Sequence, residues 1–476
     1  MNNGFEAVMQ GFVTDAFMFN NLAGGTKAPV PVSYVQESKL VSFFSRANYG
    51  YAGRYYLTAV VRRDGSSRLA EGHKWSTFPA LSASWRINNE DFMRGSRLST
   101  LALRAGWGRQ GNQSLQPYAT QLLLKTDAGG RYPFGGTITN GLSATQVANP
   151  DLKWETSEQT NLGLDWGLRS DRITGSIDVY QKKTKDLILT VPVPQPAVVG
   201  TQIQNIGSVQ NRGLEATLDA RLFDRANKTL TSGLVLTVER NKVESLGDAP
   251  FIETGGVSGQ GQSGRNAQRI IPGQPLGTFW GAEFIGVDAQ GRQTFACQAA
   301  STGCVNGVTF SPTGGDEKII GNSNPSFTLG LRSNGSWSHF DASWLWRGEF
   351  GREVFNNTAL VYSTKGNALQ SKNFLRAALS DPTGLREPAI YSSRWIENGR
   401  FIRLQNATVG YTFTLPGNLG VHSTRVYLSG DNLLLFTPYS GYDPEVFVDA
   451  GTASRGIDYL TYPRARTFTF GAHVGF

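Results

Sequence analysis

Few residues of this 476-residue chain are spaced to do covalent chemistry. Gly259, Gly261 and Gly264 form a G-x-G-x-x-G string, the pattern with which a strand-turn-helix unit cradles a phosphate. Here no strand feeds a helix, and the string lies in a stretch rich in Gly, Ser and Gln, so it reads as a loop. The histidines His73, His339, His422 and His473 are scattered, and no pair has the spacing of metal ligands. Asp316 and Glu317 are adjacent acids, but two carboxylates fall short of the roughly six to eight oxygens that calcium takes. No G-x-S-x-G elbow supports a serine hydrolase. Cys297 and Cys304 flank the six-residue segment Gln-Ala-Ala-Ser-Thr-Gly. They are expected to close a local disulfide in an oxidising compartment, with two free thiols as the alternative. Zinc would need more ligands than two cysteines without a nearby His can supply. The expectation is a protein without catalytic residues, metal or cofactor, and therefore not an enzyme.

Composition narrows the class. Glycine accounts for 56 residues, Phe, Tyr and Trp for 27, 16 and 10, while charged residues reach only 17% and hydrophobic ones 39%. A chain poor in charge and rich in Gly and aromatics is neither a helical enzyme core nor disordered. No apolar run approaches the ~18 residues of a membrane-spanning helix. The net charge of +8 is spread without a Lys/Arg run, so no nucleic-acid partner is expected.

Period-2 alternation dominates. Leu162, Leu164, Trp166 and Leu168 alternate with Asn161, Gly163, Asp165 and Gly167; Phe468, Phe470, Val474 and Phe476 alternate with Thr467, Thr469, His473 and Gly475. Each such run is a strand with one apolar and one polar face. Strands are expected at about 40–50, 54–63, 76–87, 98–110, 156–168, 172–185, 209–223, 229–243, 326–337, 339–350, 401–413, 424–436 and 467–476, with a weaker one near 5–13. Most are longer than the usual 5–6 residues and match the ~9–11 of a tilted transmembrane strand.

The connections alternate short and long. That regularity describes an all-β, transmembrane, antiparallel up-and-down barrel, with short periplasmic turns and long outer loops at 64–75, 111–155, 186–208, 244–325, 351–400 and 437–466. Phe468, Phe470, Val474 and Phe476 would be the lipid-facing residues of the C-terminal strand. Trp280, Tyr439 and Tyr442 fall in outer loops and are candidates to touch a ligand or a lid protein, with loop packing as the plainer role. Lys182, Lys183 and Lys185 mark a strand's outer end and read as a solvated rim. Two other readings stay open: a porin-like barrel of about 14 strands that closes by itself, and a soluble carbohydrate-binding β-protein.

Ordered motifs add to the pattern. Ser45-Arg46-Ala47-Asn48-Tyr49, Arg63-Asp64-Gly65-Ser66-Ser67, Leu103-Arg104-Ala105-Gly106-Trp107-Gly108, Asn149-Pro150-Asp151-Leu152-Lys153-Trp154-Glu155, Asn205-Ile206-Gly207, Asn211-Arg212-Gly213-Leu214-Glu215, Ile320-Gly321-Asn322, Gly441-Tyr442-Asp443-Pro444-Glu445-Val446 and Tyr462-Pro463-Arg464-Ala465-Arg466 follow one another. In this order they resemble the C-terminal part of the SusC/RagA family of TonB-dependent outer-membrane transporters. The resemblance implies a barrel of about 22 strands plugged by an N-terminal domain, set in the bacterial outer membrane. It also implies nutrient uptake of glycans, oligosaccharides or peptides, a SusD-like surface lipoprotein as lid, and the TonB complex pulling on the plug. The chain departs from the family pattern in two ways. Residues 1–476 hold only about 13–14 strands of that barrel, without plug, TonB-contacting segment, signal peptide or first strands. The chain is therefore read as a single barrel domain and a fragment not transport-competent alone, or as one of two chains that pair. Where the family often has an Asp-x-Asn-x-Asp-Gly loop, this chain has Phe310 to Glu317, and no calcium is expected there.

Overall fold

The structure, a computed structural model, describes residues 2–6, 8–14, 25–27, 32–125, 131–139, 141–194, 196–259, 262, 264–298, 301–369, 372–381, 384–414, 423–446 and 455–475. Thirteen long strands form one sheet: β1 (Leu40–Tyr51), β2 (Tyr55–Ser66), β3 (Trp75–Arg86), β4 (Leu98–Asn112), β5 (Glu155–Leu168), β6 (Ile173–Lys185), β7 (Ser208–Arg225), β8 (Lys228–Ser245), β9 (Phe327–Trp337), β10 (Phe340–Phe350), β11 (Phe401–Thr414), β12 (Ser423–Phe436) and β13 (Thr467–Gly475). Each pairs antiparallel with the next in sequence, and each lies where the alternation places it. The weak strand near 5–13 is instead Asn2–Glu6, which pairs with Val32–Gln36 in a separate two-stranded sheet. Its partner alternates over only five residues, too few to stand out in the sequence. β1 and β13 are the two edges of the large sheet, and neither has a second neighbour among the described residues.

Register sorts the side chains into two faces. Leu162 stands opposite Val179, Leu164 opposite Ile177, and Leu214 opposite Val238 on the outer face. These apolar residues are open rather than buried: Phe468 and Phe470 of β13 keep 67% and 76% of their surface exposed. A continuous exposed apolar sheet face of this size is a face that meets lipid.

The other face is polar and carries a repeated device. Arg104 on β4 bonds Asp165 on β5 at 2.7 Å and reaches Asp178 on β6 at 3.0 Å. Asp219 on β7 bonds Arg332 on β9 at 2.8 Å, and Asp341 on β10 bonds Arg425 on β12 at 2.7 Å. The Arg104–Asp178, Asp219–Arg332 and Asp341–Arg425 pairs each span an intervening strand above a glycine: Gly163, Gly233 and Gly410. A Cβ at these positions would lie 2.3, 2.4 and 2.5 Å from the bridging Asp178, Asp219 and Arg425 side chains. A side chain there would have to displace the ion pair, because the pair occupies its space.

Short links at 52–54, 87–97, 169–172, 226–227 and 338–339 lie at one end of the sheet, and the long connections at the other. The long connections contain small sheets of their own. One has four strands (Ile252–Gly256, Asn266–Ile270, Thr278–Ala282 and Glu317–Asn322), and another joins Glu353–Asn356, Ile396–Asn398 and Ile457–Asp458. Around them lies the largest buried apolar cluster, with Phe279, Phe355, Leu360, Leu385, Tyr391, Trp395 and Ile457. Asn356 caps the helix Asn357–Tyr362 by accepting from the Ala359 N–H at 2.8 Å. The water-excluded core of this chain is therefore in its outer loops, while the sheet buries its apolar face only against membrane.

Candidate functional site

Under these loops, on the polar face, is a cavity of about 850 Å³. Its wall is the outer end of β5 to β10: Ser157, Lys182, Thr184, Asn211, Thr237, Glu239, Asn241, Thr328 and Glu349. Its roof is loop: Leu246, Ile270, Leu276, Ser323, Asn324, Arg352, Glu445, Arg455 and Arg464. The period-2 pattern that sends leucines to lipid sends these hydroxyls, amides and charges inward. Both charge signs and many donors and acceptors line the space, together with a few apolar patches. Such a lining holds a polar ligand by many modest hydrogen bonds. It has neither His nor Cys, so it offers no nucleophile-base pair of the usual kind.

One side of the roof is fixed by a buried ion cluster. Arg403, on the inner face of β11, is fully buried; it bonds Asp443 at 2.6 Å and Glu445 at 3.1 Å, and also donates to Asn432. Arg347 on β10 makes two further bonds to Glu445 at 2.5 Å, and Arg464 lies 3.4 Å from the same carboxylate. Glu349 takes Arg352 at 2.7 Å. The segments Gly441–Val446 and Tyr462–Arg466 are thus tied to the same strand ends. Arg403 carries no motif of its own; its one signal in the sequence is a charge at the outer end of an alternating strand.

The opposite side is fixed by residues 149–155. Leu152 and Trp154 are buried against Leu69, Phe78, Leu115 and Ala119, and the Trp154 ring meets Phe78 edge-on at 5.4 Å. The indole N–H donates to the Lys74 carbonyl at 2.9 Å. Asn149 donates to the Ile203 carbonyl at 2.6 Å, and Asn205 exchanges hydrogen bonds with the Lys153 backbone at 2.8 and 3.0 Å. One strap therefore joins three outer loops.

The residues singled out from sequence have different fates. Trp280 is half-buried under Arg269, whose guanidinium lies 4.8 Å from the ring. Tyr439 is 5% exposed and donates to Asp458 at 2.6 Å, which makes it a packing residue of the roof. Tyr442, three residues on, is 78% exposed and is the ring of the three that faces outward. Cys297 and Cys304 are joined, with Cα atoms 5.8 Å apart. His473 lies on the polar face opposite Arg425, and His339 packs beside Tyr411. Among the described residues no cluster of His, Cys, Asp or Glu has the arrangement of a metal site. Phe468, Phe470 and Val474 share the outer face of β13, while Gly261, His422 and Phe476 lie outside the described residues.

Asp316 organises the disulfide loop. Its carboxylate accepts from the Ser301 hydroxyl, from the Thr313 N–H and hydroxyl, and from the Gln298 N–H. These donors, the Ser301 hydroxyl first, hold its pKa well below the usual carboxylate range. A lowered folded-state pKa contributes stability above the unfolded-state value, lost only as pH falls through the folded-state one. The Gln298 and Thr313 amides are therefore expected to stay protected from hydrogen exchange at pH 4. Asp316→Asn should expose both at neutral pH, because an amide brings an N–H toward donors. Equal exchange in the two proteins at neutral pH would contradict this role.

Comparison with known proteins places the fold. A family model described as TonB dependent receptor-like, beta-barrel matches residues 8–433. The chain belongs to that family. It is 34% identical to TonB-dependent receptor P3 of Formosa agariphila, over all of this chain and 49% of that protein. It is 32% identical to the TonB-dependent receptor SusC of Bacteroides thetaiotaomicron, over 93% of this chain and 44% of that protein. A solved structure of the RagAB peptide transporter superposes with a TM-score of 0.81 at 25% identity, covering 98% of this chain and 51% of that one. The chain thus spans about half the length of the relatives it matches, as a SusC/RagA-like barrel of the bacterial outer membrane. The long connections, which hold the cavity roof, are its outer loops.

Proposed function

We propose that this chain is the C-terminal wall of a TonB-dependent importer. It supplies the lipid-facing strands, half of the lumen and the roofed cavity that first holds the nutrient. The observation that carries this reading is the polar cavity beneath packed outer loops, on the inner face of a sheet whose outer face is apolar. The cavity's mixed charges, hydroxyls and amides suit an oligosaccharide or a short peptide. A surface lipoprotein of the SusD type would cover the roof, with exposed Tyr442 as a contact for lid or ligand. Energy would come through a plug domain and the TonB complex, and no chemical step is needed.

The test is uptake by whole cells. Deleting the gene should abolish growth on one glycan or peptide mixture while leaving growth on its monomers intact. Collapsing the proton gradient should stop uptake of the labelled nutrient in wild-type cells. Uptake that persists without the gradient would instead mark a passive pore.

A further inference from the structure

Immediately outside the apolar belt, the lipid-facing side of β4 to β8 turns strongly basic. On β7 and β8 the outward residues run Leu218, Ala216, Leu214 and Leu234, Leu236, Val238, and then become Arg212 on β7 and Arg240 and Lys242 on β8. The same rows hold Arg109 on β4 and Lys183 and Lys185 on β6. Two acids share this face. Glu158 accepts from the Trp107 indole at 2.8 Å, and Glu244 is paired with Lys183. Six cations less two acids leaves a surplus of four positive charges, in a chain whose whole net charge is +8.

Arg212 and Arg240 stand directly opposite each other across an antiparallel pair. Like charges in that position repel. Arg240 is nevertheless held there, donating to the Ser326 carbonyl at 2.9 Å and to the Glu239 carbonyl at 3.2 Å. Both side chains are exposed, and no carboxylate comes within ion-pair distance of either among the described residues. Two cations in register at the top of a lipid-facing wall, with no carboxylate partner among the described residues, offer a site to an anion. A phosphate suits them, because each guanidinium can offer two parallel N–H donors.

We infer that this band binds a phosphorylated glycolipid of the outer leaflet. Its phosphate is taken by Arg212, Arg240 and Lys242 at the top of the wall, with its acyl chains on Leu214, Val238 and Leu236 below them. The inference rests on the outer-membrane location of the barrel and is independent of what the barrel imports.

The test uses the transporter extracted whole from its own outer membrane in mild detergent and observed by native mass spectrometry. Added monophosphoryl lipid A should remain bound through delipidation, whereas the same lipid with its phosphate removed should not. Arg212→Gln with Arg240→Gln should weaken retention by about tenfold or more, the scale of two cations facing an anionic lipid surface, while the heat-modifiable gel shift of the folded barrel is kept. Equal retention of the phosphorylated and dephosphorylated lipids by the unmodified protein would overturn the inference, whatever the double variant does. Displacement of the lipid by millimolar inorganic phosphate would also overturn it, assigning the site to free anion.

Discussion

Arg403→Ala is expected to cost about 3–5 kcal/mol, the usual penalty for breaking a buried ion pair from one side. The loss is large because Asp443 and Glu445 would stay behind in a closed space with fewer donors. Arg347 and Arg464 still reach Glu445, whereas Asp443 keeps only Arg464, at 3.9 Å, among the described cations, so Asp443 would be the more exposed to loss. Limited proteolysis should then cut within 437–466 at temperatures where the parent is resistant, while the heat-modifiable gel shift of the barrel survives. Arg403→Lys should recover little, since a single ammonium cannot fork between two carboxylates and Asn432. Arg403→Ala with Asp443→Leu should be less damaging than Arg403→Ala alone. If the double variant is worse by the full sum of the two single changes, the residues are not coupled and the cluster is not the clamp described here.

Trp154→Ala is expected to cost a similar ~3–5 kcal/mol, from lost burial and from the cavity left behind. What distinguishes it is where the loss appears. Trp154 ties the strap at 149–155 to the loop at 67–74, and Asn149 and Asn205 tie the strap to the loop at 186–207. Hydrogen exchange should rise together in all three segments. The Phe279–Tyr391–Trp395 core on the far side of the roof should keep its protection. A rise confined to residues around 154 would show that the strap carries no tension between loops.

All thirteen barrel strands were legible in the sequence because each runs for nine or more residues and carries the alternation over part or all of that length. Leu162 to Leu168 or Phe468 to Val474 admit no other periodicity. The loop sheets were not legible, because strands such as Val308–Thr309 or Ile457–Asp458 are too short for any period to emerge. The site lay between these extremes. Asp443, Glu445 and Trp154 belong to recognisable strings, yet nothing local says that Asp443 meets an arginine 40 residues earlier. Tyr439 and Tyr442 look alike in sequence, and only the packing of Asp458 against the first decides which is buried. Long-range pairing of this kind is a property of the closed roof and has no one-dimensional signature.

The inner wall's own bookkeeping of charge has a mechanical consequence. Arg104, Arg332 and Arg425 are each already matched to a carboxylate of the same wall, across a glycine that lets the pair lie flat. At these three places a body filling the lumen would therefore meet ion pairs in place of bare guanidiniums. Such a body would not have to tear strong bonds to the wall at those points. The seams also resist shear between neighbouring strands, because a one-residue slip would turn one member of each pair toward lipid. The wall is thereby braced along its own surface, with these charges answered from within it.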